Sequence, residues 1–163
     1  MSLALLSLGS NQQPERYLRA AAEALRQRFP GARFSPVYRT PAVGFEGPDF
    51  LNAAAAIDSD LDPFALNDWL HALEDANGRR RDVPRFSSRT LDVDIVYFDN
   101  RVLEGPGNLK LPRPELKHAF VLKPLVDLAP EHVDPVQGCR LEALWGRSGL
   151  ACPALDALTL EGG

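Results

Sequence analysis

The order of strand-like and helix-like segments is the feature that most limits the folds open to this chain. Short apolar runs bounded by turn residues predict strands, and apolar residues that recur at helical spacing predict helices. From the N-terminus the order is strand, helix, strand, strand, helix, strand. We therefore expect a sheet with two helices packed against it.

The two helices have clear signals at their ends. The first is predicted over Pro14–Phe29, where apolar residues face one side of the helix. The second begins after Asp62, which is suited to cap it, and Pro63 fits its first position. Gly78 follows its end, as glycine often does.

The strands are shorter and are marked mainly by their flanking turns. They are predicted at Leu3–Leu8, Arg33–Arg39, Phe50–Ile57 and Arg89–Phe98. Asp99–Asn100 predicts a hairpin turn after the last of these, with the chain returning through Arg101–Leu103. This order is that of a ferredoxin-like βαββαβ unit. We predict an α+β fold with an antiparallel sheet, both helices on one face, the other face free for ligands, and a C-terminal extension.

Composition excludes several classes of function. The chain of 163 residues fits one domain, 1–163, and its net charge of −4 argues against a nucleic-acid or anionic-membrane binder. No apolar run approaches the roughly 20 residues of a membrane span. Cys139 and Cys152 lack metal-site spacing and predict reduced thiols in a cytoplasmic protein. Nothing in the sequence predicts an oligomer, and we expect a monomer.

Two aspartates interrupt the apolar run "RTLDVDIVYF". Side chains alternate along a strand, so Asp92 and Asp94 point one way while Leu91, Val93 and Ile95 point the other. This pattern is compatible with an ordinary polar sheet face. However, adjacent like charges repel, and a divalent cation would relieve the conflict. Carboxylates without cysteine or histidine partners favour Mg²⁺ over zinc.

Arginines precede the acidic strand. They are Arg79, Arg80, Arg81, Arg85 and Arg89. A solvated loop is one interpretation, and for Arg80 it is the better one. Guanidinium groups also bind phosphate oxygens in pairs, and acids beside arginines are what phosphoryl transfer requires. The chain has neither a Walker motif nor a kinase glycine loop.

Two further segments suit a substrate with a small aromatic ring. Pro41 and Gly44 indicate a loop whose backbone can meet the edge of a heterocycle. Phe50 and Asn52 share one strand face, which combines a stacking surface with an amide. A core phenylalanine and a turn-capping asparagine explain the pattern equally well.

Taken together, these segments resemble the 6-hydroxymethyl-7,8-dihydropterin pyrophosphokinases of folate biosynthesis. The matching pieces are "LGSN", "YRTPAVG", "PDFLNAA", "LEDANGR", "RFSSRTLDVDI" and "LPRPELKHAFVLKPL". They span roughly residues 5 to 130 in the family's order. The resemblance implies a ferredoxin-like enzyme that transfers pyrophosphate from the co-substrate ATP to the pterin's hydroxymethyl group and releases AMP.

The resemblance also implies roles for individual residues. Asp92 and Asp94 would hold two Mg²⁺ ions and, with Arg81 and Arg89, form the catalytic set. The residues implied at the pterin are Asn11, Thr40, Pro41, Val43, Phe50, Asn52 and Phe120. The residues implied at the nucleotide are His71, Glu74, Arg81, Arg89, Ile95, Arg113 and His118.

The chain departs from the family pattern in three places. Phe86 and Ser88 replace the Trp-x-Pro that usually precedes the acidic strand, and Arg113 replaces a histidine. The segment Pro112–Phe120 is one residue short, which puts His118 or Lys117 where an arginine is usual. The alternative function is therefore a diverged member that binds pterin or nucleotide without turnover. RNA binding on the sheet is disfavoured by the aspartates and the negative charge.

Overall fold

The computed structural model describes residues 1–42, 46–78 and 90–160. Its strands are β1 (Ser2–Ser10), β2 (Arg33–Phe34), β3 (Tyr38–Thr40), β4 (Phe50–Ser59), β5 (Asp92–Phe98), β6 (Leu103–Gly105), β7 (Leu109–Leu111) and β8 (Ala154–Leu155). Its helices are α1 (Pro14–Arg28), α2 (Pro63–Ala76), α3 (Ala119–Leu128) and α4 (Leu141–Ser148), with a 3₁₀ turn at Pro114–Lys117. Within these ranges, no helix is long and apolar enough to cross a membrane.

The main sheet is antiparallel, with the strand order β5–β1–β4–β3–β8, and β2 also pairs with β4. β1 therefore lies between β4 and β5, the two strands that flank α2 in the sequence. This insertion defines a split βαβ unit. The ferredoxin-like α+β fold predicted from the element order is confirmed.

Helices α1 and α2 pack on one face of this sheet, as predicted. Leu18 and Leu25 from α1 and Leu66 and Leu70 from α2 are buried against the alternating apolar residues of β1, β4 and β5. The alanine-rich strand β4 contributes small side chains to this core, so its alternation and not its helix propensity decides its structure.

Helix α2 begins and ends at the predicted signals. Asp62 caps it by accepting a hydrogen bond from the backbone N–H of Ala65 at 2.7 Å. Gly78 follows the last turn with a φ of +82°, a conformation that glycine adopts without a steric penalty. These two ends place the last turn of α2, which carries Glu74, beside β5.

The opposite face of the sheet was predicted to be free for ligands, and this is wrong for one half of it. Helices α3 and α4 cover that half through Val121, Leu122, Leu125 and Leu141. Their partners in the sheet are Leu5, Ala54, Ala56, Val96 and Tyr97. Apolar residues on this face require a cover, and the C-terminal extension provides it. The polar residues of the face lie toward the other end of the strands.

Two local predictions also need correction. The strand predicted at Arg33–Arg39 is split into β2 and β3, because Pro36 has no N–H to donate to a ladder. The hairpin predicted after β5 is wrong, since β6 pairs with β7. A two-residue type I′ turn needs positive φ at both central residues, and only Asp99 has it, at +49°.

A β-bulge divides β5 into two parts. The pairing with β1 shifts between Leu5 and Leu6, so that Leu6 pairs with Ile95 and Leu5 pairs with Tyr97. Val96 is therefore an extra residue in the ladder. Val96 and Tyr97 both join the core beneath α3 and α4.

Candidate active site

A row of paired residues crosses four strands on the polar half of the sheet. Asp92 on β5 pairs with Gly9 on β1, Gly9 with Asn52 on β4, and Asn52 with Tyr38 on β3. Directly paired residues point to the same face of a sheet, and Asp94 shares that face because it lies two positions from Asp92. The predicted metal-binding acids and the predicted pterin-binding amide are thus two strand spacings, roughly 10 Å, apart.

Gly9 keeps the space between the acids and the amide free of a side chain. A Cβ atom at this position would lie 3.0 Å from Oδ1 of Asn52 and 3.8 Å from Cδ1 of Phe50. The first distance is tighter than ordinary van der Waals contact, so a larger residue would have to displace Asn52. The two distances also confirm the prediction that Phe50 and Asn52 share a strand face.

Asn52 belongs to a buried polar group that joins β3 and β4. Its side chain is 5% exposed, and its Nδ2 donates a hydrogen bond of 2.8 Å to Oγ1 of Thr40. Asn11, the last residue of the "LGSN" motif, is also buried, and its Nδ2 donates a hydrogen bond of 3.1 Å to the backbone oxygen of Pro48. These hydrogen bonds fix the orientation of the side-chain amides before any ligand binds.

The acidic cluster consists of Glu74, Asp92 and Asp94. One carboxylate oxygen from each residue lies within 4.8 Å of the others. Glu74 is 2% exposed, and its Oε2 accepts a hydrogen bond of 2.8 Å from the backbone N–H of Val93, the residue between the two aspartates. Helix α2 and strand β5 therefore meet at this cluster.

The predicted charge conflict within the cluster is present. Burial raises the pKa of Asp94 well above its usual range, and the neighbouring charge of Asp92 raises it further. An all-oxygen donor set on crowded carboxylates fits a hard divalent cation such as Mg²⁺, which would compensate this charge. Asp92 and Asp94, with Glu74 beside them, are the residues that would hold it.

Arg113 also contacts the cluster. Its Nη2 lies 3.4 Å from Oδ1 of Asp94, and its Nε lies 3.2 Å from Oε2 of Glu115. Burial acts to lower the pKa of Arg113, but the carboxylates of Asp94 and Glu115 outweigh it and raise this pKa. A single guanidinium thus bridges β5 and the 3₁₀ turn that follows β7.

Comparison with known families agrees with this arrangement. The model of the 7,8-dihydro-6-hydroxymethylpterin-pyrophosphokinase (HPPK) family matches residues 5–130. The chain belongs to this family. The match covers every strand and helix that positions the acidic cluster, Asn52 and Arg113.

Curated relatives are similar over most of the chain. A protein of Pseudomonas aeruginosa named 2-amino-4-hydroxy-6-hydroxymethyldihydropteridine pyrophosphokinase is 42% identical over 132 residues, which is 77% of this chain and 80% of that protein. A Bacillus subtilis protein of the same name is 36% identical over 132 residues, 78% of each chain.

A solved structure with a similar fold is that of Plasmodium falciparum HPPK-DHPS wild type. It superposes with a TM-score of 0.69 at 13% identity, over 90% of this chain and 44% of that one. This chain therefore spans less than half the length of that protein. At such low identity the likeness supports the fold alone.

In this HPPK chain, the segment between Arg113 and the start of α3 carries two further predicted site residues. His118 precedes α3, and its ring stacks on that of Phe120 with centroids 4.9 Å apart and an interplanar angle of 9°. Burial lowers the pKa of His118, and the nearby Lys117 lowers it further. The stacked pair lies at the start of the helix that covers the apolar half of the same sheet face.

The other predicted site residues are more dispersed. His71 lies one turn before Glu74 on α2, beside the turn at Gly107. Ile95 is buried in the core under α1 and α2, so any contact of Ile95 with a nucleotide would come from its backbone. Pro41 is exposed. Predictions that fall outside the described residues concern Val43, Gly44, Arg79, Arg80, Arg81, Arg85, Phe86, Ser88 and Arg89.

Sequence reasoning did not anticipate several contacts. The sequence predicted Glu74 near the nucleotide, which stays a prediction, and gave no signal that its carboxylate lies with those of Asp92 and Asp94. The sequence indicates Gly9 only as part of the "LGSN" motif and gives no signal for Glu115. The available signal for Gly9 was a glycine at the end of a buried strand, where it often marks a close approach of other groups.

Proposed function

We propose that this chain catalyses Mg²⁺-dependent transfer of pyrophosphate from ATP to the hydroxymethyl group of 6-hydroxymethyl-7,8-dihydropterin, with release of AMP. The observation that carries the proposal is the row from Asp92 through Gly9 to Asn52. It joins an acidic cluster suited to metal and phosphate with a buried amide suited to a heterocycle. The names of the curated relatives support the same reaction.

The pterin side recognises the ring through groups that are already oriented. Asn52 uses Nδ2 to hold Thr40, which leaves Oδ1 facing the space above Gly9. That oxygen accepts a hydrogen bond from an N–H of the pterin edge, while the Thr40 hydroxyl retains a proton to donate. Phe50 borders the same space and supplies a stacking surface. We also assign Asn11, Pro41, Val43 and Phe120 to this side.

The acidic side binds the triphosphate. Asp92 and Asp94 would hold two Mg²⁺ ions, which when bound neutralise phosphate charge and align the triphosphate. Glu74 orients the strand through Val93 and adds negative charge to the cluster. Arg81 and Arg89 are proposed to bind phosphate oxygens, and His71, Ile95, Arg113 and His118 to border the nucleotide.

The reaction follows from the relative positions of the two sides. The pterin hydroxyl oxygen attacks the β-phosphorus of ATP, a new O–P bond forms, and the bond from the β-phosphorus to the oxygen of the departing AMP breaks. The hydroxyl proton passes to a carboxylate of the acidic cluster or to solvent. Catalysis then rests on positioning and charge neutralisation.

Turnover with separate substitutions tests this function. Wild type supplied with Mg-ATP and the pterin should release AMP. Asp92→Asn or Asp94→Asn should reduce the rate by at least about 100-fold, because each removes a carboxylate proposed to hold the metal ions that neutralise phosphate charge. Asp58→Asn changes an exposed carboxylate on β4 and serves as the matched control. If wild type binds both ligands but releases no AMP, the alternative of a non-catalytic binding protein is correct.

We further propose that residues 1–163 act as one pyrophosphokinase domain, as a monomer in the cytoplasm, without nucleic acid or membrane partners. The net charge of −4 and the two free cysteines support this setting. Light scattering at working concentrations tests the monomer, since a mass of twice 17.9 kDa would contradict it.

A further inference from the structure

Arg113 forms an ion pair with a carboxylate of the acidic cluster. The guanidinium contacts Asp94, one of the two residues that we assign to metal, at 3.4 Å. Both side chains are mostly shielded from solvent, with 19% and 24% of their side-chain surfaces exposed. Water therefore screens this ion pair less than it screens a pair on the open surface.

Several negative charges surround Asp94, and a cation next to it reduces their repulsion. Glu74, Asp92 and Asp94 form the cluster, and Glu115 also contacts the guanidinium, at its Nε. Among the described residues, Arg113 is the cation that the structure places in direct contact with Asp94. Without a positive partner, these acids would repel one another and destabilise the fold.

We propose that Arg113 is a counter-ion of Asp94 in the metal-free protein and that it competes with the divalent cation for this carboxylate. The guanidinium contacts Oδ1 of Asp94, and a cation with two positive charges is repelled by a guanidinium held a few ångströms away. Binding of the first metal ion then requires the guanidinium to leave Asp94. This inference rests on the proposed function, in that Asp94 is a metal ligand.

Arg113 has two contacts besides the one with Asp94. Its backbone is anchored, since its N–H donates to the backbone oxygen of Val96 at 3.1 Å. Its Nε lies 3.2 Å from Oε2 of Glu115, whereas a different nitrogen, Nη2, contacts Asp94. The guanidinium is therefore able to release Asp94 without losing its other charged partner.

Binding of Mn²⁺ alone, measured by calorimetry on the full chain, tests the competition. Arg113→Gln should bind Mn²⁺ about three- to tenfold more tightly than wild type, because the competing charge is gone. Arg113→Lys keeps a charge and should stay close to wild type. Arg140→Gln removes one exposed arginine that pairs with Glu142, and this control should leave the affinity unchanged.

A second readout uses the protein without metal. Arg113→Gln should have a lower Tm than wild type in the presence of a chelator, and saturating Mn²⁺ should reduce this difference. Equal or weaker Mn²⁺ binding by Arg113→Gln would overturn the inference. Equal tightening in Arg113→Lys would overturn it as well, since charge would then not be the cause.

Structures of wild type without and with Mn²⁺ keep the proposal testable even if the glutamine variant does not fold. The Arg113–Asp94 pair should be intact without metal and broken with it, and an intact pair in both would contradict the inference. AMP release is measured in parallel to separate the two proposals. Turnover in wild type with unchanged Mn²⁺ affinity in Arg113→Gln would remove only this inference, whereas absence of turnover would remove the proposed function.

Discussion

The two halves of the candidate site are built differently. Gly9, Thr40, Phe50 and Asn52 lie on or at the ends of paired strands, and backbone ladders fix their positions. Arg113, Glu115, His118 and Phe120 belong to the segment from the 3₁₀ turn to α3, where ion pairs and a ring stack hold the side chains. The strand half is therefore organised by the fold itself, while the loop half depends on charge.

Because of this difference, the two halves should respond to different kinds of substitution. A side chain on a ladder is sensitive to the volume of its neighbours, because the strands cannot move apart without losing hydrogen bonds. A side chain held by an ion pair is sensitive to charge and to what else binds its partner. The departures from the family pattern that the sequence predicts within the described residues, Arg113 and the short segment to Phe120, both fall in the loop half.

The strongest way to break the strand half is to fill the space over Gly9. Gly9→Val places a branched side chain where even a Cβ atom would lie 3.0 Å from Oδ1 of Asn52. We expect pterin affinity to fall by at least about 100-fold, because overpacking displaces the amide. Titration with the pterin measures this. Gly146→Ala, at a glycine with open space around it, is the control, and unchanged affinity in Gly9→Val would contradict the prediction.

A smaller effect is expected when the amide itself is removed. Asn52→Ala leaves the buried Thr40 hydroxyl without its partner and removes the hydrogen bond that we propose to the pterin. We therefore expect pterin affinity to fall about tenfold and the free energy of unfolding by about 1–3 kcal/mol. Denaturant unfolding and pterin titration check the two values. Asn77→Ala removes an amide bonded to the backbone oxygen of Leu73, outside the row, and should retain pterin affinity.

The smallest expected effect is a pH dependence of stability that arises from His118 in the loop half. Burial lowers the pKa of His118, so the unfolded chain binds more protons than the folded chain as pH falls below the ordinary histidine value of about 6.5. Above that pH, His118 is neutral in both states and does not reduce the free energy of unfolding. Below it, protonation of His118 favours the unfolded chain, and the protein gradually loses stability.

The measurement compares the Tm of wild type and His118→Asn between pH 7.5 and pH 5.5. Wild type should lose slightly more stability, and the difference should be small because the ring is partly exposed. Burial also lowers the pKa of His132, and both proteins retain that effect. Asn52→Ala should parallel wild type across this range, since it changes no titratable group. A steeper loss in His118→Asn would mean that folding raises the pKa of His118 instead of lowering it.

The parts that sequence could predict are those with local causes. Alternation along β5 and the signals at the ends of α2 depend on neighbouring residues, and both predictions are confirmed. The Glu74–Asp94 proximity and the Arg113–Asp94 pair link residues about twenty positions apart, and no spacing rule connects them. The cover of α3 over the sheet was missed for the same reason: a long-range contact has no local signature.

The bulge at Val96 has a consequence for how this family member is able to change. It separates the register of the two acids from that of the apolar residues that follow them in the same strand. Asp92 and Asp94, before the bulge, belong to the acidic cluster, and Val96 and Tyr97 pack against the C-terminal helices. The bulge thus divides β5 into two segments joined by one extra residue. The residues that pack against α3 and α4 are therefore free to change while Asp92 and Asp94 keep their orientation.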